Sequence, residues 1–339
     1  MKMLVKRLCL FLCAVCVTLG FFFAVLPSAA VAAPTRIVIS NLQWDSVMFH
    51  NELAKFVIEN AFDGYVVEFA IGSTALNWQA MIQGDIDVNL ETWADNLSFF
   101  PDDVARGDII PLGVLVPDSA QGFYVPRYVI EGDPERGIEP MAPTLRHVRD
   151  LARYARVFPD PDYPARARIY GGIPGWEITE IMHRKVLHYG LYDAGFNYFR
   201  VGSEPILFTS LDAAYNLGEP WVGYMWEPSS IYGRLDLVML EDEPFDPVLY
   251  EQGATEIPRQ ALLNVSGAHF PGKAPGLLDF FRNFKTGSAL VSEVLAYMEE
   301  TGESHINAAI WFMKTNDNLL DEWLNPEQAE RMRSALANL

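Results

Sequence analysis

Residues 36–71, RIVISNLQWDSVMFHNELAKFVIENAFDGYVVEFAI, change their hydrophobic period twice and thereby decide the fold class. Arg36-Ile-Val-Ile-Ser40 reads as a strand, Val47 to Phe62 as an amphipathic helix, and Tyr65 to Ile71 as a second strand. Strand, helix and strand in this order argue for a βαβ unit with its two strands parallel. The rhythm continues outward, with a helix expected over Thr74–Gln83 and a strand over Ile86-Asp-Val-Asn-Leu90. Crossover helices cover both faces of such a sheet, so an α/β lobe is expected here.

A second run of alternation begins near Ala120. Gln121 to Pro126 and Arg168-Ile-Tyr170 read as strands, Glu177 to Tyr189 as a helix, and Phe208 to Leu217 as a further element. Between them, residues 132–166 hold Pro134, Pro140, Pro143, Pro159, Pro161 and Pro164, which predicts surface loop around one helix, Leu145 to Tyr154. After Trp221-Val-Gly-Tyr-Met-Trp226 comes a strand at Leu237-Val-Met-Leu240. Helices are then expected near Gly276–Phe284, Ser288–Glu299, His305–Lys314 and Glu327–Leu336. Two crossings, near residues 112–120 and 224–232, would give lobe I residues 33–115 and 227–339 and lobe II residues 116–226. The expected fold is therefore α/β and two-lobed, each lobe a mostly parallel sheet flanked by helices, with ligand in the cleft beyond the carboxyl ends of the strands.

The chain of 339 residues is 50% hydrophobic and 13% aromatic, enough to bury a large core in two units. Its start differs from the rest. Met1 to Arg7 is basic, Leu8 to Leu26 is almost wholly apolar, and Ala30-Val-Ala32 offers a small-x-small cleavage site. Residues 1–32 read as a secretion signal, with an uncleaved anchor as the alternative because the 19 apolar residues could span a bilayer. All three cysteines, Cys9, Cys13 and Cys16, fall in that segment, so residues 33–339 can form no disulfide, thiolate metal site or cysteine nucleophile. A formal net charge of −19 argues against nucleic acid as a partner.

Tryptophan recurs at the strand exits. Trp44 follows the first strand, Trp93 follows Ile86–Leu90, Trp176 follows Arg168–Gly172, and Trp226 closes Trp221–Met225. One such residue is ordinarily a core or rim side chain, since indoles bury large areas wherever they fall. Four at equivalent positions suit a quaternary ammonium ion, whose methyl groups cannot donate conventional hydrogen bonds and which instead meets the negative faces of aromatic rings. Gly171-Gly-Ile-Pro-Gly-Trp-Glu177 adds a helix start at Gly175, Trp176 and Glu177 whose backbone N–H groups suit an anion such as a carboxylate, although a plain strand-to-helix turn has the same composition. Asp45 reads either as an acceptor for a ligand hydroxyl or as the cap of the first helix. Gln121 reaches toward the cleft from the first crossing, and Glu91 and Glu227 are candidate counter-charges.

These residues carry a resemblance. Gln43-Trp-Asp45, Gly84-Asp-Ile-Asp87 leading to Glu91-Thr-Trp93, Ala120-Gln-Gly122, Pro174-Gly-Trp176, Trp226-Glu-Pro228, Ala309-Ile-Trp311 and Asp321-Glu-Trp-Leu324 stand in an order that resembles periplasmic substrate-binding proteins of glycine betaine/choline/proline-betaine ABC importers. The resemblance implies the type II binding-protein architecture, with Trp93, Trp176 and Trp226 at the family's cage positions and Trp44 where choline-type members place theirs. It also implies a membrane permease as partner, a periplasmic location and a monomer. The chain departs from glycine-betaine members at Ile173 and at Ser229 and Ser230 after Trp-Glu-Pro, so the ligand's polar end is left open among choline, glycine betaine, proline betaine, carnitine and a sulfonium analogue.

Two other functions fit parts of the pattern. Aromatic walls with paired acids such as Glu91/Asp95 or Glu177/Glu180 also describe a glycoside hydrolase cleft. The chain offers no Gly-x-Ser-x-Gly elbow, His-Glu-x-x-His pair or P-loop to anchor a chemistry, so no enzyme activity is expected. The six histidines are scattered and predict no metal, and no cofactor is expected. A binding module that reports its ligand to a receptor would use the same site.

Overall fold

The computed structural model describes residues 33–232 and 234–339; the secretion signal expected over residues 1–32 lies outside them. Among the described residues nine strands form one hydrogen-bonded sheet. They are β1 (Thr35–Asn41), β2 (Tyr65–Ile71), β3 (Val88–Thr92), β4 (Ile109–Pro126), β5 (Ala167–Gly171), β6 (Phe196–Arg200), β7 (Gly223–Glu227), β8 (Leu237–Met239) and β9 (Gln260–Gly267). The order is β2-β1-β3-β9-β4-β7-β5-β6, with β8 paired to β4. The longer helices are α1 (Asp45–Ala61), α2 (Thr74–Gln83), α3 (Glu177–His188), α4 (Glu204–Leu217), α5 (Ser288–Thr301), α6 (His305–Thr315) and α7 (Pro326–Ala337).

The opening βαβ unit is as expected, β1 and β2 running parallel with Thr35 opposite Tyr65 and Asn41 opposite Ile71. The first crossing is not a loop. Residues 112–120 lie inside β4, an extended run whose first part pairs with β9 as far as Ser119 and whose second part pairs with β7 from Ala120. One strand thus belongs to both halves of the sheet.

Two apolar clusters sit on the two halves. Ile37, Phe49, Val57, Phe281, Phe312 and Trp323 belong to the first, and Phe123, Ile169, Met182, Leu211, Trp221 and Met225 to the second. The expected return crossing near residues 224–232 falls too early. β8 pairs with β4 at Tyr124–Pro126, and Tyr250 and Ile257 are still packed in the second cluster, so the chain leaves the second half only between Ile257 and β9.

Strands β6 and β9 were not anticipated. β9 is antiparallel to both β3 and β4 and is central, yet Asn264 and Ser266 interrupt its apolar pattern while themselves wholly buried. The Asn264 side-chain amide donates to the carbonyls of Phe281 (3.0 Å) and Phe284 (2.8 Å), which offsets the burial of its polar group. The helix expected over Leu145–Tyr154 is a short 3₁₀ segment, Val148–Arg153, its start capped by the His147 ring.

Candidate ligand-binding site

A cavity opens where the carboxyl ends of β1, β3, β5 and β7 face one another, the place at which α/β sheets collect ligands. Its aromatic lining is Trp44, Trp78, Trp93, Trp176, Tyr224 and Trp226. Asn77, Asn89, Asn96, Thr74 and Thr92 supply neutral polar groups, Glu91 and Glu177 supply acids, and the lining contains no Lys, Arg or His.

The indoles meet at angles. Trp44 and Trp176, from opposite halves of the sheet, stand edge to face with centroids 5.4 Å apart and planes at 79°. Trp176 and Trp226 do the same at 5.3 Å and 86°. Trp226 is 3% exposed, stacked on Tyr224 (5.4 Å, 22°) and tilted on Phe208 (5.4 Å, 34°), so it is as much a core residue as a wall. Walls at near right angles are what a compact methylated cation needs to meet several ring faces at once.

Trp44 is held in place by a buried acid. Glu91 has no exposed surface and adopts φ of 54°, the left-handed region that a non-glycine residue rarely enters. Its Oε1 accepts from the Trp44 indole N–H (2.7 Å) and from the Ser46 hydroxyl (2.7 Å). Its Oε2 meets His50 Nδ1 at 2.8 Å, and His50 Nε2 continues to Thr286 Oγ1 at 3.0 Å. Three partners on one carboxylate fix the ring orientation of Trp44 and place negative charge at the cavity wall.

The other expected residues fall outside the lining. Asp45 does not cap α1: the cap position is Trp44, Asp45 is the first helical residue, and its carboxylate pairs with His305 Nε2 at 3.2 Å. Gly175 takes φ of +96° in the turn before α3, and a Cβ there would lie 3.5 Å from that of Ser73, so the turns before α3 and α2 abut. Gln121 is 2% exposed and acts one step back from the cavity. Its amide nitrogen donates to Asn96 Oδ1 (2.9 Å) and its oxygen accepts from the Tyr224 hydroxyl (2.9 Å), joining two lining residues at the point where β4 changes partners. Glu227 faces a different groove and accepts from the Tyr124 hydroxyl at 3.4 Å; burial raises its carboxyl above the ordinary range.

Sequence reading missed Tyr224, Asn96 and the brace behind Glu91. Tyr224 was findable, because residues two apart on β7 share a face with Trp226. Ser46 and His50 stand four apart on α1, a spacing that puts them on one helix face. Nothing local marks Thr286. Burial raises the carboxyl of Asp95, beside the cavity, and the hydroxyl of Tyr224.

A profile described as the substrate binding domain of an ABC-type glycine betaine transport system matches residues 35–315. The chain belongs to that family. Among solved structures it is similar to the glycine betaine/L-proline-binding protein ProX from Borrelia burgdorferi, with a TM-score of 0.69, 17% identity, and 88% of this chain and 99% of that one covered. An ABC-transporter choline-binding protein in complex with choline gives 0.68, 17%, 89% and 98%. Lactococcal OpuAC, in its closed form with glycine betaine, gives 0.66, 18%, 86% and 100%. These likenesses establish the two-lobed type II binding-protein fold. No curated protein sequence matches significantly. Family members are extracytoplasmic solute-binding proteins of transporters. Among the described residues no helix is long and apolar enough to cross a membrane, and no group of three or more His, Cys, Asp or Glu is placed to hold a metal.

Proposed function

We propose that the protein captures a quaternary ammonium compound with no free carboxylate, choline being the simplest, and hands it to the permease of an ABC importer. The observation that carries this reading is the lining itself: indoles at right angles, two acids, and no Lys or Arg. A methylated cation gains from the ring faces and from the negative charge of Glu91. A carboxylate at the ligand's other end would meet Glu177 where an anion-binding helix start was expected, and would find no cationic side chain in the wall.

Trp44, Trp93, Trp176 and Trp226 form the cage, with Gln121 positioning Asn96 and Tyr224. The two lobes, meeting along β4 and the segment before β9, close on the ligand and present the permease with a surface from both. Residues 1–32 direct a monomer to the periplasm. Calorimetric titration with choline, glycine betaine, carnitine, dimethylsulfoniopropionate and a sugar panel tests the reading. Choline is expected to bind at least about tenfold more tightly than glycine betaine, since one unpaired buried charge costs more than 1.4 kcal/mol. Tighter glycine betaine would refute the carboxylate-free assignment, and binding only to a sugar would refute the cage.

A further inference from the structure

Several polar contacts join the two halves, among them Gln121 with Asn96 and Arg234 with Glu299, and one of them lies beside the indoles. Glu204, the first residue of α4, is 5% exposed, and its Oε2 accepts the backbone N–H of Asp45, the first residue of α1, at 3.0 Å. Two helix starts from opposite halves are thus fastened end to end by one carboxyl group, next to the edge-to-face contact of Trp44 with Trp176. We infer that Glu204 is the latch that holds the halves closed, and that it makes ligand capture dependent on pH.

The surroundings of Glu204 are acidic. Asp45 faces it from α1 and Glu91 from β3, while the Tyr224 hydroxyl on β7 lies near enough to sense its charge. His305 of α6 is engaged by the Asp45 carboxylate, and His50 is engaged by Glu91. Burial, followed by the charge of Asp45, raises the Glu204 carboxyl well above the ordinary range, and the Asp45 N–H lowers it by less. Burial in the closed form therefore favours the protonated carboxyl more than solvent would in an open form.

The sign follows from linkage. A group whose proton affinity is higher in the closed form stabilises closure fully below its open-state pKa, and that contribution is lost as pH rises through the closed-state value. One proton gives a change of up to about tenfold per pH unit in that window. Affinity for the cation should therefore weaken as pH rises from the ordinary carboxylate range toward neutrality and beyond. A ligand cation would partly offset the repulsion among Glu204, Asp45 and Glu91, so the slope is at most that of one proton.

This inference rests on the proposed ligand class for its first test and not for its second. Choline is titrated into the wild type, Glu204→Gln and Glu204→Ala from pH 5 to pH 8. The wild type should lose affinity by up to about tenfold per unit in the window. Glu204→Gln, whose amide oxygen can still accept the Asp45 N–H, should bind with little pH dependence, and Glu204→Ala should bind weakly throughout. A Glu204→Gln profile parallel to the wild type would assign the slope to groups other than Glu204 and overturn the latch. Small-angle scattering of the ligand-free proteins repeats the comparison without any ligand. The wild type should expand as pH rises while Glu204→Gln keeps one radius, and identical behaviour of the two would overturn the latch even if choline were not the ligand.

Discussion

Trp44 and Trp226 show how differently two members of the proposed cage are built. Trp44 stands at a helix start with its indole N–H fixed by Glu91, so its ring is a wall held from behind by a hydrogen bond. Trp226 is inside β7, packed between Tyr224 and Phe208, and its removal would leave a hole in the second core. Trp44→Ala and Trp176→Ala should each weaken ligand binding by about 2- to 30-fold, the value of one desolvated ring face, and Trp176→Ala, the less buried of the two, should change the midpoint on urea unfolding little. Trp226→Ala should cost on the order of 3–5 kcal/mol of stability in the same unfolding measurement. Equal stability losses in all three variants would contradict this division of roles. The tryptophans were legible in the sequence because each follows or closes a short apolar run. The brace of Ser46, His50 and Thr286 behind Glu91 was not, since one of its members comes from 195 residues further along the chain than the acid it supports.

Strand β4 is the element on which the halves depend. Its pairing with β9 shifts register between Pro111 and Gly113, and a Cβ on Gly113 would sit 2.4 Å from the backbone oxygen of Arg282. Backbone cannot yield as a side-chain tip can, so Gly113→Ala should destabilise the protein by about 1–3 kcal/mol in denaturant unfolding. An unchanged midpoint would show that this close approach is not maintained in solution. The elements that were legible are those with a clean period: β1, α1, β2 and α2 fall within two residues of their expected bounds. β9 was not, because its buried Asn264 and Ser266 read as polar punctuation, and the burial of the Asn264 amide depends on carbonyls that follow later in the chain. The crossing expected at residues 112–120 was read as a connection, whereas the backbone there continues as strand.

At the scale of the whole molecule, closure is the property that unites the observations. The cavity is assembled from both halves, and the contacts between them include the Trp44–Trp176 edge, the approach of Gly175 to Ser73, the Glu204–Asp45 and Gln121–Asn96 hydrogen bonds and the solvent-accessible Arg234–Glu299 ion pair. Individually weak contacts leave the ligand to supply much of the closing free energy, which is what a protein that must also release its cargo requires. Family and two-lobed architecture were foreseen from short motifs in the right order, while the contact of Glu204 with Asp45 was not, because Glu204 lies in no motif and is far from Asp45 along the chain. The most direct test of the cage is titration with tetramethylammonium and with ammonium, which carry the same charge and differ in their methyl groups. Three or four ring faces at roughly 0.5–2 kcal/mol each predict one-to-one binding of tetramethylammonium at least about tenfold tighter than that of ammonium. Equal affinity for the two ions, or tighter binding of ammonium, would contradict recognition by the indole faces.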